Sequence, residues 1–195
     1  MAERIKKTLF QWASTHNLNL IVNFHNELRR LLGRRVLDLS GATNIQKSGV
    51  DAKVAKAIYE DFGRLIVNNT FLMMYSYLEE WLHLSWKDHA GNYPLPQNEK
   101  GSIRRYKAVL KNEFGLPLSA GAWQVLMDAE KVRHCLLHAN GRISLLAKSR
   151  DLENIVRKNS ESLSIDQDRI RLGPTYVKKI SEAIRDVMNT IQKSA

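Results

Sequence analysis

Apolar residues recur every three or four positions through most of this chain, the spacing of one helical face rather than the alternation of a strand. Between positions 2 and about 32 the series Ile5, Leu9, Trp12, Leu20, Ile21, Phe24, Leu28, Leu31 and Leu32 predicts helix. Ser14, Thr15 and Asn17 predict a break into two helices, because short polar side chains compete with the backbone and favour caps. A polar connector runs from Leu39 to Val50. Asp51 then stands as an N-cap for a helix reaching about Lys87. Its apolar face is Val54, Ile58, Phe62, Leu65, Ile66, Met73, Tyr77 and Trp81, with Asn69 among them. So long a helix suits the central rod of a bundle.

Gly91 to Pro96 form a turn, and a helix from about Gln97 to Phe114 stops at Gly115-Leu116-Pro117. Ser119 caps a helix from Ala120 to about Asn140, with Trp123, Leu126, Met127 and Leu137 inward and Gly141 left-handed at the C′ position. Residues 151–158 suit a short helix. Ser162 to Leu172 alternate around Asp166-Gln167-Asp168, which reads as a hairpin. Pro174 opens the last helix, with Tyr176, Val177, Ile180, Ile184, Val187 and Ile191 inward. The expected fold is therefore all-α: an up-and-down helical bundle over 46–195 with a small β-hairpin near 162–172. Residues 1–45 form an N-terminal helical extension.

With 195 residues, 44% hydrophobic and 26% charged, the composition is that of a globular domain. The single cysteine, Cys135, excludes an internal disulfide framework and fits a reducing compartment. Neither a signal-peptide pattern nor a run of eighteen apolar residues is present, so a cytoplasmic protein without membrane contact is expected. The formal charge of +10 draws polyanions, nucleic acid above all. Its local clusters are Arg29, Arg30, Arg34 and Arg35; Arg104, Arg105 and Lys107; and Lys178 with Lys179.

The densest chemistry is Arg133-His134-Cys135-Leu136-Leu137-His138, closed by Ala139-Asn140-Gly141. Arginine offers a permanent cation with a planar fork of donors matched to phosphate oxygens. Histidine as a residue type exchanges protons near neutrality. Four residues apart, His134 and His138 stand one turn above each other on a helix. Three other readings stand beside this one: a solvated basic helix face, an H-x-x-x-H metal pair, and Cys135 as a nucleophile, the last set against an apolar Cys-Leu-Leu run. Glu79 and Glu80, beside aromatics in Tyr75-Ser76-Tyr77-Leu78-Glu79-Glu80-Trp81, either orient an Arg or His across the bundle or pair with surface cations.

Arg133, four residues and His138 resemble the R-x(4–6)-H signature of HEPN-domain proteins. Asn140-Gly141 resembles members that continue His-x-Asn-Gly, and Phe71 to Trp81 resembles their aromatic-then-Leu-Glu helix. The likeness covers roughly residues 60–190, and it departs at His134, where the family most often has Asn or Asp. It implies a dimerising bundle whose two Arg/His motifs meet. Many members are metal-independent endoribonucleases that act as toxins or phage-defence effectors. In such an enzyme the RNA 2′-hydroxyl attacks, leaving a 2′,3′-cyclic phosphate and a 5′-hydroxyl, with no cofactor or metal. By this resemblance Arg133, His138 and His134 are catalytic, and Glu79 and Asn140 are supporting. Arg104, Arg105, Lys107 and Arg142 would bind RNA, tRNA among the candidates, and an antitoxin or defence-system protein is an expected partner. A non-catalytic HEPN module that binds nucleic acid, nucleotide or a protein is the alternative.

Overall fold

The computed structural model describes residues 2–40, 52–90, 93–97, 102–112, 115 and 120–194. Among them six helices and one hairpin follow in order. They are α1 (Ala2–Ser40), α2 (Ala52–Ala90), α3 (Ser102–Asn112), α4 (Ala120–His138), α5 (Ser149–Lys158), β1 (Leu163–Asp166), β2 (Arg169–Leu172) and α6 (Pro174–Ser194). The all-helical bundle with a small antiparallel hairpin is the architecture that the periodicity predicts. The connector at 41–50 and the caps at Asp51 and Ser119 lie outside the described residues, as do the side chains of Ile5, Leu9, Trp12, Val54 and Ile58.

The core forms where α2, α4 and α6 meet. Phe71, Met74, Tyr75, Leu78 and Leu82 of α2 are fully buried, as are Trp123 and Leu126 of α4 and Ile180 and Ile184 of α6. Each large apolar side chain removed from water contributes about 1.5–3 kcal/mol. The inward series expected for α6, from Tyr176 to Ile191, is buried throughout. Pro174 is its first residue, where a fixed φ and a missing N–H cost the helix nothing.

Four details differ from the sequence reading. α1 runs unbroken through Ser14, Thr15 and Asn17, since packing along α2 outweighs the weak preference of such residues for caps. Gln97, where the sequence reading starts α3, is a bend, and the described helix is Ser102–Asn112. Its first N–H groups, those of Ser102 and Ile103, bond the Glu130 carboxylate, a cap supplied by α4. α4 ends at His138, and the 3.0 Å bond from Gly141 N–H to the Cys135 carbonyl makes Asn140 the left-handed C′ residue, φ 49°. Gly141 follows it, also left-handed at φ 77°.

The fourth difference is the largest. The stripe expected to be the inner face of α2 is in good part outward: Phe62, Leu65 and Met73 are exposed, while Val67, Thr70, Phe71 and Met74 are buried. On α1, Leu18 and His25 face inward, and Leu20, Phe24 and Leu31 are exposed. Leu137 on α4 is also exposed. These helices are apolar on more than one side, and periodicity alone does not say which side meets the core.

The hairpin turns at Gln167 and Asp168, both with positive φ (46° and 65°), the conformation whose twist matches flanking strands. It braces the end of α4. Ile170 N–H bonds the Gly141 carbonyl, Ile143 N–H bonds the Asp168 carbonyl, and Arg169 bonds the Asn140 carbonyl. Ser144 donates to the Asp168 carboxylate from both its backbone and its hydroxyl. No helix among the described residues is long and apolar enough to cross a membrane.

Candidate functional site

Helical periodicity turns Arg133 inward. Ala122, Leu126 and Ala129 form the buried stripe of α4, and Arg133 occupies the next position along it. Opposite stands α2, where Tyr75 and Glu79, four residues apart, share a face. The Arg133 guanidinium lies 5.2 Å from the Tyr75 ring centroid and 3.1 Å from the Glu79 carboxylate. Arg133 is 28% exposed and Glu79 24% exposed, so the pair is held at the edge of the core rather than on the open surface. Its Nε is buried with no hydrogen-bond partner among the described residues. Glu79 also accepts the Ser102 hydroxyl at the start of α3.

This corner opens into a cleft of about 770 Å³, lined by Glu79, Arg104, Glu130, Lys131, Arg133, His134, Lys148 and Asp151, among others. Glu130 is held above the usual carboxylate range chiefly by burial, against the pull of Arg104 and of the α3 N–H groups. Lys131 pairs with Asp151 at 3.1 Å. Arg133 is likewise paired, and Arg104 and Lys148 are the other cations that line the cleft. Among the described residues no three His, Cys, Asp or Glu side chains converge as metal ligands.

The two histidines stack, ring centroids 4.6 Å apart and 45° between planes. His134 lines the cleft; His138, one turn on, stands exposed at the helix end outside it. Asn140 is exposed and lines a separate depression of about 550 Å³ with Arg64, Asn68, Arg169 and Arg171. Of the four basic residues expected to hold nucleic acid, Arg104 lines the cleft. Arg105 is exposed on α3, Lys107 sits 6.0 Å from the Trp123 ring, and Arg142 is exposed beyond the end of α4. One chain therefore brings together Arg133, Glu79, His134 and Arg104, and leaves His138, Asn140, Arg105, Lys107 and Arg142 outside that cleft.

Cys135 is fully buried, its thiol directed at the Arg142 carbonyl 3.8 Å away. Burial, with Asp168 nearby, pushes the thiol up to about 11. At neutral pH it is not the thiolate that a nucleophile requires. The sequence does not mark Ser102, Lys131, Lys148 or Asp151, because they reach the cleft from three separate segments. Tyr75 opens the aromatic stretch beside Glu79 and Glu80 that the sequence does mark, and its spacing of four from Glu79 is the signal that places both on one face.

Comparison of this chain with protein-family models, with known proteins and with solved structures finds no match.

Proposed function

We propose that the protein is a metal-independent endoribonuclease that acts as a homodimer in the cytoplasm, as a toxin or phage-defence effector. The observation that carries this reading is the setting of Arg133. A permanent cation is held at the edge of the core by a carboxylate and an aromatic face, beside two stacked imidazoles and an open cleft. Holding the guanidinium in place lowers the reorganisation needed when charge develops on a phosphate. The resemblance of Arg133 to His138 to the HEPN signature supplies the reaction.

In that reaction an imidazole takes the proton of an RNA 2′-hydroxyl, and its oxygen attacks the adjacent phosphorus. The bond to the 5′-oxygen breaks, and that oxygen leaves with a proton from a second imidazole or from water. His138 is the acid or base, Arg133 stabilises the phosphorane-like transition state, and His134 orients His138 or the phosphate. The nucleophile belongs to the substrate, so the chemistry calls for no metal. Arg104 and Lys148 bind flanking phosphates as positioning contacts. An antitoxin or defence-system partner would restrain the activity, and a tRNA loop is one candidate substrate.

A second reading, a module that binds nucleic acid, nucleotide or a partner without cleaving, is favoured by one observation. Within one chain Glu79 neutralises Arg133, and His138 lies outside the cleft. Incubating purified protein with total cellular RNA in EDTA separates the two. The wild type should leave 5′-hydroxyl ends, and Arg133→Ala or His138→Ala should lose roughly 10²–10⁴ in rate while remaining folded. His134→Ala should lose less. RNA that is bound but intact would sink the enzyme reading, and cleavage surviving both substitutions would refute the site.

A further inference from the structure

Among the described residues, much of the apolar series that periodicity marks on the first two helices stays uncovered in a single chain. Phe24 is 51% exposed, Phe62 51% and Leu65 54%, with Leu31 and Met73 close behind. They lie along one groove of about 1080 Å³ between α1 and α2. A helix apolar on two opposite sides asks for two packing partners, and α2 has the core on one side only. Polar residues close the groove at both ends, Arg35 and Glu80, which carry opposite charge.

The helices run antiparallel. Arg29 and Leu32 line one depression with Gly63 and Val67, while His25 bonds Thr70. Arg35 is ten residues beyond His25, and Glu80 ten beyond Thr70. The two charges therefore stand about 15 Å to either side of that bond, at opposite ends of the groove.

We infer that a second copy of this chain docks on this face about a two-fold axis, closing α1 and α2 of both copies into a four-helix bundle. Such an interface is isologous, so each patch must complement itself. Turned end for end, the groove does so: its apolar middle meets the same residues, and each copy's Arg35 meets Glu80 of the other. The groove is also continuous with the end of α4. Leu65, Asn69 and Leu72 line both the groove and the depression that holds Asn140, two residues from His138. The inference rests on the dimeric reading proposed above and adds the surface, which draws on a helix outside the stretch that resembles the HEPN family.

Sedimentation of the full chain at micromolar concentrations, with circular dichroism on every variant and RNA cleavage recorded alongside, tests it. The wild type should run at twice the monomer mass of 22.4 kDa. Phe24→Asp and Leu65→Asp should weaken self-association roughly 30-fold or more and keep their helicity, because both positions are exposed. Arg35→Glu or Glu80→Arg alone should weaken it too. An equimolar mixture of those two variants should restore the dimer, since only then does each end meet its opposite charge. A wild-type monomer, a Phe24→Asp or Leu65→Asp dimer as tight as the wild type, or a mixture no tighter than its components would overturn the proposal. A dimer that dissociates as expected without any RNA cleavage would support the surface and sink the ribonuclease instead.

Discussion

At the residue scale the informative position is Glu79, because it decides what Arg133 is free to do. In a single chain it neutralises the guanidinium at 3.1 Å while accepting the Ser102 hydroxyl. Ion pairs that keep part of their surface in water contribute little to stability, about 1 kcal/mol or less. Glu79→Gln should therefore shift the unfolding midpoint only slightly. In the ribonuclease reading its effect falls on the guanidinium's position, so kcat should drop by roughly tenfold with KM nearly unchanged. Glu79→Asp should recover part of the loss. Equal losses from Gln and Asp together with a large stability change would mean that Glu79 only supports the fold. Glu79 was legible as a carboxylate beside aromatics that either orients an Arg or His across the bundle or pairs with a surface cation. That the partner is Arg133 was not, because nothing local links positions 79 and 133.

At the scale of elements, the seam between α1 and α2 holds a buried histidine. The Thr70 hydroxyl donates to the Ile66 carbonyl, so its oxygen accepts from the His25 Nδ1–H at 2.9 Å. Burial first, and then the Arg29 guanidinium, keep His25 below the ordinary histidine value. The folded chain therefore prefers the neutral ring more strongly than the unfolded chain does. This contribution is complete above about pH 6.5 and is lost as the pH falls from there through the lower folded value. Between about pH 7.5 and 5 the urea midpoint of the wild type should fall further than that of His25→Gln. Identical pH slopes would show that His25 is not the group responsible. The elements were largely legible in the sequence: helix periods, the Pro174 start and the alternating hairpin all correspond to observed segments. Helix ends were less so, since the cap of α3 is Glu130 on α4 and the turn that ends α4 is braced by the hairpin.

For the whole molecule, the charge of +10 acts at long range and the cleft at short range. If RNA is the ligand, its affinity should fall steeply with salt, log K declining in proportion to the phosphates neutralised. Arg104→Glu with Lys148→Glu should lower that slope as well as the affinity, because each removed phosphate contact reduces it by about one. Filter binding from low to moderate salt measures both, and a slope unchanged by these substitutions would move the RNA path off this cleft. The sequence by itself determined that the chain is helical, roughly where its helices lie, that a hairpin precedes the last of them, and that Arg133 and the two histidines are its densest chemistry. These are local properties, set by side-chain period, turn residues and neighbours a few positions apart. Only the tertiary structure decided which apolar face of α1 and α2 meets the core, that Arg133 is held by Tyr75 and Glu79, and that His138 stands outside the cleft. Those outcomes depend on how distant segments pack, and two apolar faces of one helix carry the same period whichever of them is buried.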